Sequence, residues 1–238
     1  MNQPVESNKY NLSIRFLSDG FTLFVSDGNH QNISNKTVKA AISEMSETEI
    51  IDLLSKESEL QLNYLTVRII CESNCYSFIP YPFFKKEEMA DMLKLQHPNL
   101  KKTETVLFNL LEAWDAVNIF SVHPALASVL QQVLPEIKIE HHLTAFLTDK
   151  IEMHNEKCMH VLIRPEKMDV IVLKENNLQL INTYNYDSPE DFTYYIISII
   201  EQLHLGTEEC MVFLHSSEKS KEFCNLISKY VKNCNIVN

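Results

Sequence analysis

The chain has 238 residues, 45% of them hydrophobic, with 32 acidic against 21 basic side chains and a formal charge of −11 at pH 7. That length suits one large domain or two small ones, and that hydrophobic content supports a core and excludes extended disorder. The charge opposes polyphosphate backbones and anionic membranes, and the short basic pairs Lys85-Lys86 and Lys101-Lys102 lie near acids, so no nucleic-acid partner is expected.

Residues 10–26 read as a hairpin. Tyr10 to Phe16 alternates apolar and polar, Ser18-Asp19-Gly20 supplies the turn, and Phe21 to Val25 returns before a second Ser26-Asp27-Gly28 turn. Ser46, with Glu49 three residues on, predicts a capped helix whose stripe is Ile50, Leu53 and Leu54. Thr66–Cys71 and Tyr76–Ile79 read as strands joined through Ser73-Asn74. Two prolines in Ile79 to Phe84 exclude a central strand there, and a short helix over Glu87–Leu95 follows. Thr105–Leu111 and Ala116–Ser121 form another strand pair. Pro124 opens a helix to Leu134, with Leu126, Val129, Leu130 and Val133 on one face. Ile137–Glu140 reads as a strand, and His142 to Ile151 is left unassigned.

The last third is more regular. Met159–Arg164, Met168–Leu173 and Leu178–Tyr184 read as successive strands. Ser188-Pro189-Glu190-Asp191 opens a helix running to His204 near Gly206, with a stripe of Phe192, Tyr195, Ile196, Ile199, Ile200 and Leu203. Tyr194 and Ile197 widen that stripe, which predicts a helix covered on two sides, one of them open to use in a homodimer. A strand over Cys210–Leu214 and a helix over 217–233 complete the chain. Leu12-Ser13-Ile14-Arg15 and Val161-Leu162-Ile163-Arg164 each open a hairpin, which gives a faint internal repeat.

Met1 to Lys9 is polar and carries no apolar run of the signal-peptide kind. The longest apolar stretch, within Phe192 to Ile200, falls short of the ~20 residues that span a bilayer. A cytoplasmic protein without membrane insertion is expected. The six cysteines fit that expectation. Cys71, Cys158 and Cys210 lie in or beside predicted strands, where a free thiol behaves as a small apolar residue.

Chemistry-bearing patterns are sparse. Three glycines in the whole chain leave none for a loop that wraps a phosphate. His154, Cys158 and His160, with His141-His142 and His123 upstream, are the nearest thing to a metal set, but the spacing is foreign to zinc sites. Cys71 and Cys75 flank a turn with few of the cationic neighbours that activate a thiol. No catalytic residue and no cofactor is assigned. The stiff segment Ile79 to Phe84 is the best candidate for contact with a protein partner, through Tyr81, Phe83 and Phe84. The alternative is a buried crossover whose aromatics fill space.

The order of elements, with Ile14 to Phe21, Ile79-Pro80 before aromatics and Ala116 to Leu134 as the segments most alike, resembles a duplicated ribonuclease H-like fold. This is the architecture of the actin, sugar-kinase and Hsp70 superfamily, an α/β fold of two lobes with mixed sheets. The chain is most similar to pilus-assembly actin-like proteins and to an uncharacterised bacterial family with a degenerate form of the fold. The resemblance implies an N-terminal lobe over residues 1–145 and a C-terminal lobe over 146–238.

Active members place an aspartate at the end of the first strand of each half, before a glycine turn that holds phosphates. The resemblance sets Arg15 and Arg164 at those positions, with turns Leu17-Ser18-Asp19-Gly20 and Pro165-Glu166-Lys167. Proline removes an amide donor and Glu166 repels phosphate. The two arginines are therefore candidate phosphate grips or, alternatively, solvent-facing strand-end charges. Ribonuclease H-type nucleases share the core, but the carboxylates that bind their metals are missing, with Arg164 opening the second sheet and His215 following its last strand. The expected function is a non-catalytic interaction or scaffold protein. The alternative is a residual nucleotide-binding protein or weak phosphotransferase.

Overall fold

A computed structural model describes residues 9–29, 31–151, 156–215 and 220–237. The chain divides into two compact units, residues 1–151 and 152–238. The division falls beyond the expected boundary at 145 because residues 142–149 form a helix on the first sheet.

The first unit opens with strands β1 (Asn11–Leu17), β2 (Gly20–Ser26) and β3 (Asn32–Lys39). After helix α1 (Glu47–Ser55) comes β4 (Thr66–Cys71), then β5 (Tyr76–Pro80), α2 (Met89–Gln96), β6 (Thr105–Leu111), β7 (Ala116–Val122), α3 (Pro124–Val133), β8 (Ile139–His141) and α4 (His142–Asp149). A five-stranded sheet has the order β3-β2-β1-β4-β8, antiparallel on the β1 to β3 side and parallel from β1 to β8. Strands β5, β7 and β6 make a separate antiparallel sheet.

Leu12, Ile14 and Phe16 point to the buried face of β1, each alternating with a more exposed residue, as a period of two demands. The capping box at α1 forms as the sequence predicts: Ser46 accepts from Glu49 N, and Glu49 accepts from Ser46 N at 2.8 Å. Strands β4 and β5 do not pair with each other. β4 lies parallel to β1 and β5 pairs with β7, so the Ser73-Asn74 turn is a step between sheets. Strand β3 escapes sequence reading because it is a polar edge strand without alternation. In α3 the buried positions are Leu126, Ala127, Val129 and Leu130, while Val133 is exposed.

The second unit repeats the plan. Strands β9 (Cys158–Arg164), β10 (Lys167–Lys174) and β11 (Asn177–Asn185) lead to α5 (Pro189–Gln202), β12 (Met211–His215), α6 (Ser220–Ile227) and β13 (Asn233–Val237). The sheet order β11-β10-β9-β12-β13 matches the first sheet strand for strand, with the same change from antiparallel to parallel at β9. The expected terminal helix ends early, and the chain returns as β13 beside β12; the Ser217 start lies outside the described residues. Its core sets Met159, Val161, Val170, Val172 and Val212 beneath Phe192, Ile196, Ile200, Phe223 and Ile227. Each such fully buried side chain contributes about 1.5–3 kcal/mol relative to exposure. Phe192 and Phe223 stack at 4.1 Å between α5 and α6. Tyr194 stays 68% exposed, so this unit leaves the outer side of α5 bare where two-sided cover was expected.

Asn109 of β6 joins the two sheets of the first unit. Its Nδ2 donates to Ile139 O and its Oδ1 accepts from His141 N, so a side chain occupies the outer edge of β8.

Candidate functional site

The repeat brings equivalent polar rows across both sheets, on the faces away from Leu12 and Val161. In the first sheet the registers line up Glu140, Ile70, Arg15, Thr22 and Thr37. In the second they line up Val237, His215, Leu162, Asp169 and Thr183. Thr22 and Thr37 hydroxyls meet at 3.2 Å, and at the matching place the Thr183 hydroxyl donates to Asp169 Oδ1 at 2.6 Å.

These rows show that Arg15 and Arg164 are not equivalent. Both hairpins close with two-residue turns, setting Leu17 opposite Gly20 and Arg164 opposite Lys167. Arg164 therefore matches Leu17, and Arg15 matches Leu162. Counting back from the dipeptides Ser18-Asp19 and Pro165-Glu166 is the sequence signal for that offset.

Their surroundings differ as well. Arg15 is exposed. Arg164 is not the solvent-facing strand-end charge of the alternative reading: its side chain is only 11% exposed, and Nη2 donates at 2.6 Å to Asp169, which is fully buried. The Tyr186 hydroxyl donates to Arg164 O at 2.8 Å, and burial raises the Tyr186 pKa. A charge pair at this depth is held by geometry, since each ion has given up its water. Glu166 adopts φ +57° in the turn after Pro165, and its carbonyl accepts from Tyr186 N.

The glycine of the first turn is committed elsewhere. Gly20 has φ +144°, and a Cβ there would lie 1.9 Å from Val38 O, so the glycine lets β3 cross β2 closely. Beside Arg15 on the same face, Arg68 binds Glu140 bidentately at 2.6 and 2.5 Å and also binds Asp149 of α4. The Glu140 hydrogen bonds raise the Arg68 pKa further.

The histidines separate. His154 lies outside the described residues. His123 precedes α3. His141 is buried in the first unit, its Nε2 donating to Ser73 O at 3.0 Å and its Nδ1 accepting from Leu143 N. Both bonds together fix the neutral tautomer. In the second unit His160 Nδ1 and His215 Nε2 lie 3.0 Å apart across β9 and β12, a pairing that only the parallel register reveals. Among the described residues no group of three or more metal-ligating side chains converges. Burial raises the thiol pKa of Cys71 and Cys210 to about 12 and of Cys158 to about 11, and it raises Cys75 as well. These thiols stay protonated and poorly nucleophilic.

The aromatic segment is an exposed turn rather than a buried crossover. Pro80 ends β5, an edge strand where its missing donor is tolerated. Tyr81–Phe83 then form a single 3-10 turn, fixed by Tyr81 N donating to Asp115 O at 2.9 Å. Tyr81 is 56% and Phe83 71% exposed. Phe84 turns inward onto Phe108, ring centroids 5.1 Å apart, and so anchors the turn that displays the other two.

A family described as "Protein of unknown function (DUF3822)" matches residues 1–234. No curated protein sequence matches the chain. Among solved structures, a Bacteroides thetaiotaomicron VPI-5482 protein with actin-like ATPase fold and unknown function superposes with a TM-score of 0.83 at 23% identity, covering 100% of this chain and 94% of that one. The PilM-PilN type IV pilus biogenesis complex superposes at 0.56 and 13% identity, covering 96% and 88%. The ethanolamine utilization protein EutJ from Carboxydothermus hydrogenoformans gives 0.52 at 8% identity, covering 99% and 85%. The strand orders and these likenesses establish an actin-like ATPase fold.

Proposed function

The chain belongs to this DUF3822 family, and from that premise we propose that it is a non-catalytic protein-binding scaffold of the bacterial cytoplasm, built on an actin-like fold whose phosphate-handling turns have been given other work. The observation that carries this reading is the Arg164–Asp169 pair. At the hairpin end of the second unit, where a nucleotide-handling member needs groups ready for phosphate, the cation is already neutralised by a buried carboxylate. Pro165 offers no amide there, and Gly20 in the first unit serves the β2–β3 crossing.

The binding surface is the turn bearing Tyr81 and Phe83, with Phe84 as its internal anchor. A prefixed turn presents aromatic area with little ordering left to do on association. PilM, on a similar fold, is found in a complex with PilN, and holding a second protein is the part of that likeness carried over here.

Calorimetric titration of the full chain with Mg-ATP and Mg-ADP tests the reading. The expected result is no saturable heat and no thermal shift at millimolar nucleotide. Arg15 is exposed and supports the second reading, residual nucleotide binding. Saturable binding that Arg15→Ala abolishes would establish that reading and overturn the scaffold.

A further inference from the structure

The outer edge of β11 points to a second copy of this chain. We propose that the protein forms a twofold dimer in which β11 strands of two copies pair antiparallel and the bare sides of their α5 helices meet above the joint.

Four of the other five sheet margins among the described residues carry a device that discourages pairing, and the fifth, β6, is shorter than β11 at seven residues. β3 bears Lys36 and Lys39, with Lys36 drawn to Glu57 and Glu59. β5 ends in Pro80, and Tyr76 O is met by His97 Nε2. β8 is closed by Asn109. β13 has five residues. Strand β11 has nine, with no charge and no proline, and it is the last strand of its sheet. Natural sheets rarely leave such an edge unguarded unless it is used.

The edge also has a defined hydrogen-bonding face. Tyr186 N donates inward to Glu166 O, whereas Thr183 N is held by its neighbour Asn182 Oδ1. Over 180–186 the even-numbered residues therefore bond β10, and the odd-numbered residues 181, 183 and 185 turn their backbone groups outward, with the Thr183 amide already held by Asn182 Oδ1. An axis through Asn182 sets Leu180 of one copy opposite Tyr184 of the other, and Ile181 opposite Thr183. Apolar then meets apolar on the face that α5 covers.

Charge selects the occupant. Each copy carries −11, so two copies repel except through a neutral surface. The runs 176–186 and 192–200, which hold β11 and most of α5, contain no acidic or basic residue. These runs adjoin: Tyr195 of α5 stacks on Tyr184 of β11 at 4.9 Å, and Tyr194 stands beside it. Helix α6 packs beside α5 over β12 and β13, at the other side of the sheet from β11. A strand pair flanked by a helix pair supplies the combined area that a strand pair alone lacks.

Sedimentation velocity and light scattering of the full chain, from low micromolar to several hundred micromolar, test this. The expected weight-average mass rises from 27.6 kDa toward twice that value. Asn182→Lys and Tyr194→Lys, both at exposed positions, each shift the midpoint to at least tenfold higher concentration without lowering Tm, while Leu95→Lys on α2 leaves it unchanged. A monomer at every concentration overturns the proposal. So does a dimer indifferent to both variants.

Discussion

Arg164 reaches diagonally across its hairpin to Asp169, Nη2 to Oδ1 at 2.6 Å, and seals a carboxylate that has no exposed surface. Removing one partner leaves the other desolvated without compensation, which typically costs about 3–5 kcal/mol. Arg164→Ala and Asp169→Ala are each expected to destabilise on that scale, and the double variant by clearly less than their sum. Urea unfolding of the four proteins gives the coupling. Additive costs would remove the pair from its central place.

The glycines give a sharp contrast. Gly20→Ala would drive a Cβ into Val38 O and force alanine to φ +144°, whereas a Cβ on Gly28 meets nothing within 4 Å. Gly20→Ala is expected to cost well over ~1 kcal/mol and Gly28→Ala to be neutral or stabilising by up to about 1 kcal/mol. Thermal melts of the two variants decide it.

Asn109 satisfies two backbone groups of β8 at once. Asn109→Ala leaves Ile139 O and His141 N without that partner, each worth about 1–3 kcal/mol when buried and unmet. Hydrogen exchange is expected to accelerate first at β8 and α4, before the five-stranded sheet as a whole.

Stability toward acid contains a contribution from Glu49, whose pKa is lowered chiefly by the hydrogen bond from Ser46 N. A depressed carboxyl stabilises above its unfolded pKa, about 4.3, and loses that contribution as pH falls through the folded value. Glu49→Gln is therefore expected to lower Tm at pH 7 and to converge with wild type near pH 3. A constant difference across that window would mean the charge has no part in the cap.

Thiol labelling follows burial. With pKa values near 12, 11 and 12, Cys71, Cys158 and Cys210 are expected to resist alkylation at pH 8 in the native protein. All six cysteines should react within the same time once the chain is unfolded. Peptide mass spectrometry reads the difference.

Where local chemistry and burial agree, the fold is readable from residues alone. The cap at Ser188, the hairpin at Ser18-Asp19, the alternation of β1 and the strands of the second hairpin all appear where expected. Sequence reading fails where long-range pairing decides. β3 is a strand because it lies on β2, not because its residues alternate, and the separation of β4 from β5 depends on partners dozens of residues away. The site shows the same limit. Arg164 is visible as a strand end, but its carboxylate partner lies on the next strand, and the offset from Arg15 appears only in the register. The exposure of Tyr81 and Phe83 depends on Phe84 taking the inward position, a choice that composition does not encode.

The side chain of Asn109 sets a limit on assembly. With β8 closed by an amide, the first sheet accepts no further strand at that margin, and the lysines of β3 guard the other. The twofold dimer proposed above would use up the β11 margin in the joining. In that dimer the five-stranded sheet of the first unit would offer neither of its margins for further strand addition.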